Sequence, residues 1–406
     1  MKQSILLVFL LYLTALIISF FFTMNTGFIG GELIVFYFKD GVQVFWVFLL
    51  VLLSFVAAIL VYTFMKSYRF IIGKNFEVVY YNNRFDFFTF IVLSASVYFV
   101  SMTGVGRLLS EATHPLSFVF NTVNPDYFFY IYYVLRRERS GLLFWLNFFL
   151  FIFLNISKGW TGFLLVLFFL EVYFFYKNKP LKISFFAMAP CLIAFILIVG
   201  GSVYSFLAPL KNEIRGLGGE PMSVMDGINS LSQRLSNYSI SLGGYQESVV
   251  IVKKFNDQDM PLKELTALFR PIIPSFIFTN KESFTTLNND VLKPFYPDIT
   301  NKTSSDVSLF VYLYILLEAN PLQLISYLLI SVFILLLVKF ILDTISLHTG
   351  QFDFLFFLYV FSFFYTSQHE VVSTGYIGFS LFILPLLFIL GILRFKVRHD
   401  VHRGLT

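Results

Sequence analysis

The chain has 406 residues, of which 57% are hydrophobic and only 13% charged, with a mean hydropathy of +0.78. A soluble domain carries about 25% charged residues, so a chain this apolar cannot face water all round and reads as a polytopic membrane protein. The net charge of +5 does not point to nucleic acid, because most basic residues stand in short clusters between apolar runs, a pattern of membrane topology.

The expected fold class is all-α: about ten transmembrane helices with one large, mainly helical loop. The first apolar run covers 4–23. It follows Lys2 but ends in Phe-Phe-Thr-Met-Asn without a small-residue cleavage site, so it reads as a retained span. A glycine-containing loop with Glu32 leads to the second span, 44–64. Lys66, Arg69, Lys74 and Arg84 follow, in a stretch where Phe76 to Tyr81 could pair as a small hairpin. The third span covers 86–103, and the loop after it carries Arg107 and His114. The fourth covers 116–135 and ends at Arg136-Arg-Glu-Arg139. The fifth, 141–156, stops at Ser157-Lys-Gly-Trp160. The sixth, 161–176, contains Glu171, expected to pair with a group on another span. The seventh covers 183–204 and contains Cys191, the single cysteine. Cys191 is expected as a small packing residue, and no Cys/His spacing resembles a metal site.

From about 205 to 306 the apolar runs stop. Ser223-Val-Met-Asp226 resembles a capping box, and Val224, Ile228, Leu231 and Leu235 follow at helical spacing. That helix is expected to end near Gly243-Gly244. A second helix is expected over 245–255 and a third from Pro261 to Phe269. Arg270-Pro-Ile-Ile-Pro274 forces an extended segment, and Thr279 to Ser305 is expected to be irregular. Val307 to Glu318 reads as an interfacial helix broken by Asn320-Pro321. Spans over 321–342, 352–367 and 374–393 complete the chain. The expected domains are thus 1–204 with spans one to seven, the loop 205–306, and 307–406 with the interfacial helix and the last three spans.

An even number of spans places both termini on one side. The short loops opposite the termini hold only Lys39, Arg107 and Lys158, whereas the remaining basic residues outside the long loop lie on the terminal side. Positive loops stay cytoplasmic, so both termini are expected in the cytoplasm and the long loop outside, in the periplasm of a bacterial inner membrane.

Groups with chemistry gather at the outer boundary: Arg107 and His114, Lys158, Glu318, and the pair His369-Glu370 between the last two spans. Each alone is accounted for as a snorkelling or solvated group. Their convergence from four hairpins on one depth is the argument for a site, because charges there are costly unless paired, solvated or used. In the loop, Pro271 and Pro274 hold Arg270 on a stiff backbone, and Arg234 lies on an amphipathic helix.

At three places the chain resembles the O-antigen polymerase (Wzy) family, within the wider polymerase and ligase group. Asn155-Ile-Ser-Lys-Gly-Trp-Thr-Gly162 resembles that group's Ser-(Lys/Arg)-Gly turn. Arg270-Pro-Ile-Ile-Pro274 with Thr279-Asn-Lys281 resembles its Pro/Arg-rich loop segment. Thr303-Ser-Ser-Asp306 followed by a helix with Glu318 resembles its loop exit. The chain departs from the pattern at Ala319-Asn320-Pro321, where the family has a glycine-rich turn, and in the position of Arg270. The resemblance implies a glycosyltransferase of lipopolysaccharide biosynthesis acting on an undecaprenyl-diphosphate-linked oligosaccharide. The growing glycan would pass from its lipid diphosphate to a sugar hydroxyl of the next unit. For that reaction the expected catalytic groups are His369 and Glu370, at the outer hairpin, and Arg270, beside its prolines, with Arg234, Lys158, Lys281, Arg215, Glu318 and Arg107 as substrate-binding groups. No metal or cofactor is expected, since cations can take up the charge of the departing diphosphate. Membrane lipid, a chain-length regulator and a flippase are the implied partners, with no nucleic acid. The alternatives are an O-antigen ligase, with lipid A core as acceptor, and a lipid-linked oligosaccharide flippase or other transporter, which would carry charges deep inside several spans.

Overall fold

Long apolar runs bounded by Asp, Asn, Gly and Pro become helices here because the flanking residues supply the end groups. In the computed structural model, which describes residues 2–68, 76–107, 114, 116–123, 125–159, 162–177, 183–214, 221–256, 287–297, 306–348, 350–367 and 375–397, the chain is mostly helical. The first helix, α1 (Lys2–Thr26), buries one stripe through Leu7, Leu11, Ala15, Ser19 and Thr23 and leaves its other faces, such as Phe21, exposed. α2 (Gly41–Ser67) starts at Asp40, whose carboxylate accepts from the Val42 N–H at 3.0 Å. α3 (Asn82–Thr103) and α6 (Leu142–Lys158) each end on a glycine in the left-handed region, Gly104 at φ 68° and Gly159 at φ 77°, a conformation that glycine adopts without Cβ strain. α7 covers Gly162–Tyr176.

After the long loop, α13 (Leu309–Ala319) ends at Asn320, which also caps α14 (Pro321–Thr344) by accepting from Leu322 N–H at 2.9 Å. The Asn-Pro pair therefore breaks one helix and starts the next, with Pro321 where a missing N–H costs nothing. α15 (Asp353–Thr366) is buried on nearly every face and packs against α2, α7, α13 and α14. α16 (Gly375–Ile389) contains a π-turn at Phe379–Ile383 just before Pro385. Among the described residues, five helices, Lys2–Thr26, Gly41–Ser67, Asn82–Thr103, Met188–Phe206 and Pro321–Thr344, are long and apolar enough to cross a membrane, and several shorter apolar helices accompany them. Together they suggest a membrane protein.

Several expectations are corrected. The all-α class holds for the body, but two short antiparallel ribbons flank it. β1 (Phe28–Gly30) pairs with β2 (Leu33–Tyr37). β3 (Phe76–Tyr80) pairs not within a local hairpin but with β4 (Leu393–Val397), Val78 opposite Phe395. Both strands alternate β-branched or aromatic residues, and Tyr81 N–H donates to Ile392 at 2.9 Å to close the ribbon. The fourth span is two helices, α4 (Ser117–Thr122) and α5 (Pro125–Arg136), because Pro125 cannot donate to a preceding turn and instead opens a new one. α8 (Ile183–Ile214) runs past residue 204 with Pro190 and Pro209 inside it. Cys191 is exposed on α8 and is not a packing residue.

In the loop, α9 (Val224–Ser236) begins as its sequence indicates, with the Ser223 hydroxyl accepting from Asp226 N–H at 3.2 Å. It does not reach Gly243. Asn237 turns left-handed at φ 52°, and α10 (Tyr238–Gln246) carries Gly243 and Gly244 inside it. A Cβ on Gly243 would lie 2.3 Å from Leu33, so this glycine serves close packing, not helix termination. α11 covers Ser248–Asn256. Within the stretch expected to be irregular, α12 (Leu287–Asp290) forms a turn anchored by fully buried Leu287 and Val291. The expected third loop helix, Pro261–Phe269, lies outside the described residues.

The elements define two ends. The β1–β2 ribbon, α9 and α10 lie at the loop end. The β3–β4 ribbon and the Arg136–Arg139 turn lie at the ribbon end.

Candidate functional site at the loop end

α9 carries Arg234, and its seat on the helices is set by small residues. A Cβ on Gly227 would lie 2.3 Å from the backbone oxygen of Gly201 in α8, and one on Gly201 would lie 2.4 Å from Ile228. The two helices therefore cross with no room for a side chain between them. Ser19 of α1 and Ser236 share a buried hydrogen bond of 2.9 Å. At the far end of α9, the Tyr365 hydroxyl donates to the Arg234 carbonyl, and Asn237 Nδ2 donates back to the Tyr365 carbonyl at 3.1 Å. The Arg234 backbone is thus fixed from three helices.

Its guanidinium donates to Glu32 at 3.0 Å and lies 5.5 Å from the Tyr204 ring centroid. Glu32 stands at the β1–β2 turn. Gln233 accepts from Gly31 N–H there, and the Tyr296 hydroxyl donates to the Glu32 carbonyl oxygen at 2.8 Å. Burial, and then the nearby Glu32 carboxylate, raise the Tyr296 phenol above its ordinary value, which keeps it a proton donor at neutral pH.

A second group forms where α5 and α6 meet. Asp126, in the first turn of α5, accepts from Asn155 Nδ2 at 3.0 Å and from Lys158 Nζ at 3.5 Å. Both ionic side chains are largely covered, at 13% exposure for Lys158 and 15% for Asp126. Next to Asp126 stands a tyrosine group: Tyr127 lies 5.5 Å from Tyr376, which lies 5.3 Å from Tyr359. A Cβ on Gly375 would fall 2.1 Å from the Tyr127 ring, so only glycine lets α16 start here. The Asp306 carboxylate acts electrostatically on both the Tyr127 and the Tyr365 hydroxyls.

The loop end therefore holds two carboxylate–cation pairs: Glu32–Arg234, with Tyr204, Tyr296 and Tyr365 around it, and Asp126–Lys158, with Tyr127, Tyr376 and Tyr359 next to the acid. Aromatic faces with polar edges suit sugar rings, which have one apolar face and a hydroxylated rim. Cations held beside carboxylates suit an anionic group that can displace or share them.

Of the residues expected from sequence, Arg234 and Lys158 belong to this cluster. Arg107 lies in an exposed turn and donates to Ser101 at 3.4 Å on its own helix end. Glu318 is exposed at the end of α13 and interacts with Tyr314, which stacks on Tyr245 at 4.7 Å. Glu171 is paired as expected: Arg137 donates to it at 2.6 and 3.0 Å at the ribbon end. Arg215, Arg270, Lys281, His369 and Glu370 lie outside the described residues. Sequence reasoning missed Asp126 and the tyrosines, and marked Asp306 only as part of the loop-exit motif. A signal existed for Asp126, an acid directly after a proline at a helix start, where the helix dipole favours negative charge. No protein-family model matches this chain, and no match was found among curated proteins or solved structures.

Proposed function

We propose that this protein is a polysaccharide polymerase of the bacterial inner membrane, joining oligosaccharide repeat units carried on undecaprenyl diphosphate. The observation that carries the reading is the loop end, where Arg234 lies by half-buried Tyr204 and shares Glu32 with half-buried Tyr296, and Lys158 pairs with Asp126 next to half-buried Tyr127. A lipid-linked glycan needs that combination: cations for the diphosphate, ring faces for the sugars, and a site at the end of apolar helices for the lipid tail. In the step itself, the acceptor hydroxyl oxygen bonds to the donor's anomeric carbon. The bond from that carbon to the diphosphate oxygen breaks, and the diphosphate leaves with the electron pair. The hydroxyl proton passes to a base, assigned here to His369 or Glu370. Arg270 is assigned, with Arg234 and Lys158, to taking up the leaving group's charge. Arg215 and Lys281 supply further charge to the same loop. A ligase would use the same donor chemistry. Glu171, the group that pointed to the flippase alternative, pairs with Arg137.

Deletion of the gene in its host followed by gel analysis of surface glycans tests the activity. A polymerase loss leaves lipid A core capped by one repeat unit. Loss of every attached unit indicates the ligase, and an unchanged ladder removes both readings.

In the proposed topology the chain crosses the membrane about ten times, through α1, α2, α3, the α4–α5 pair, α6, α7, α8, α14, α15 and α16. Both termini are cytoplasmic, and the 205–306 loop is periplasmic. A reporter that is active only after export is expected to be active when fused near Asn289 and silent near Asn178. The opposite pattern would invert the whole arrangement.

A further inference from the structure

At the ribbon end, far from the cluster above, two arginines from opposite ends of the chain close on one aromatic ring. The Arg84 guanidinium lies 5.6 Å from the Tyr81 ring centroid, and that of Arg394 lies 5.3 Å from it. Both also reach one point beside Gly391. A Cβ placed there would lie 3.2 Å from Nη2 of Arg394 and 3.8 Å from Nη1 of Arg84. Gly391 has φ +62°, a turn that glycine makes without Cβ strain, and it carries the chain past both guanidinium groups. Tyr81 is fixed beneath by its N–H bond of 2.9 Å to Ile392.

Two guanidinium groups this close repel each other unless an anion or solvent lies between them. Among the described residues, no carboxylate pairs with either. Asp86, two positions from Arg84, is engaged by Arg136 through two bonds of 2.7 Å. Glu77 faces Lys396 in the strand register. Arg84 and Arg394 are both exposed, so a ligand can reach them. Two exposed planar forks near one another, without a carboxylate partner among the described residues, match the tetrahedral oxygens of a phosphate.

We infer that Tyr81, Arg84, Gly391 and Arg394 form a phosphate-binding site, filled by the headgroup phosphate of an anionic lipid or by a soluble phosphate. The lipid source rests on the proposed topology, which puts this ribbon at the cytoplasmic leaflet, where anionic headgroups concentrate. The site itself rests only on the geometry.

The test uses the full chain, first in nanodiscs of phosphatidylcholine with and without phosphatidylglycerol. Native mass spectrometry reads the retained lipid, and calorimetry with inorganic phosphate forms the second arm. The variants are Arg84→Gln/Arg394→Gln, Arg394→Lys and, as a surface-charge control, Lys396→Gln. Phosphatidylglycerol retention is expected to fall at least about tenfold in the double variant, the equivalent of one lost charge-assisted contact. Lys396→Gln should leave it nearly unchanged. Loss of phosphate binding in the double variant, with no preference for phosphatidylglycerol in the wild type, assigns the site to a soluble phosphate. If the double variant aggregates on gel filtration, Arg394→Lys decides, since it keeps the charge and loses the fork. Equal binding of both probes by wild type and variants overturns the site, and so does an equal loss with Lys396→Gln. The exported-reporter fusions judge the topology separately.

Discussion

Replacing Asp86 with alanine is expected to destabilise the folded bundle by about 3–5 kcal/mol, the cost of leaving a buried charge without its partner. Asp86 and Arg136 are 4% exposed each, and two parallel bonds of 2.7 Å join them. The Tyr132 hydroxyl donates to the same carboxylate at 2.9 Å, and Asn147 Nδ2 reaches both that hydroxyl and the Asp86 carbonyl. Three helices, α3, α5 and α6, are therefore tied through one acid. Removing it strands the Arg136 guanidinium among apolar side chains. The double replacement Asp86→Leu with Arg136→Met removes both charges, while Tyr132 keeps its bond from Asn147. It is expected to recover most of the loss, because exchanging a whole buried pair for apolar residues is often neutral or stabilising. Thermal unfolding in detergent, followed by fluorescence-detected size exclusion, measures both. An Asp86→Ala protein as stable as the wild type would mean that the pair is screened by water.

Arg234→Ala is expected to lower repeat addition on synthetic lipid-linked units by roughly 10²–10³-fold, the usual effect of losing one transition-state donor. The backbone of Arg234 is fixed by Tyr365 and its guanidinium is held by Glu32. Little conformational entropy is therefore left to lose when it engages a diphosphate. The same geometry makes Glu32 a competitor for the guanidinium. Glu32→Gln is expected to lower KM for the lipid-linked donor, because the diphosphate no longer displaces a carboxylate. An exposed ion pair contributes only about 0–1 kcal/mol, so the fold should survive either change. If Arg234→Ala and Glu32→Gln both leave the kinetics untouched, the pair is only a surface salt bridge and the diphosphate is bound elsewhere. Arg234→Lys separates charge from shape: near-normal activity means that charge suffices, and a loss close to that of alanine means that the planar fork is required.

The sequence by itself determined where most of the described helices lie and several of their ends. Apolar runs mark α1, α2, α3 and α14, Ser223 marks the start of α9, and Asn320-Pro321 marks both a stop and a start. These are local effects, settled within a turn or two by hydrogen bonding and backbone geometry. Only the tertiary structure decided which faces meet. A helix that is apolar all round gains nothing from lipid or protein preferentially, so its pattern does not say which side is buried. Close packing of small residues decides instead, as where Gly227 of α9 meets Gly201 of α8. Polar groups decide elsewhere, as where Ser19 meets Ser236 and Asp126 meets Lys158. The pairing of β3 with β4 likewise joins residues near opposite ends of the chain, and no local signal can specify a partner at that separation. The candidate site follows the same division: the sequence marked Arg234 and Lys158 as charges at a boundary, whereas Glu32, Asp126, Asp306 and the tyrosines became their neighbours only through the packing of helices.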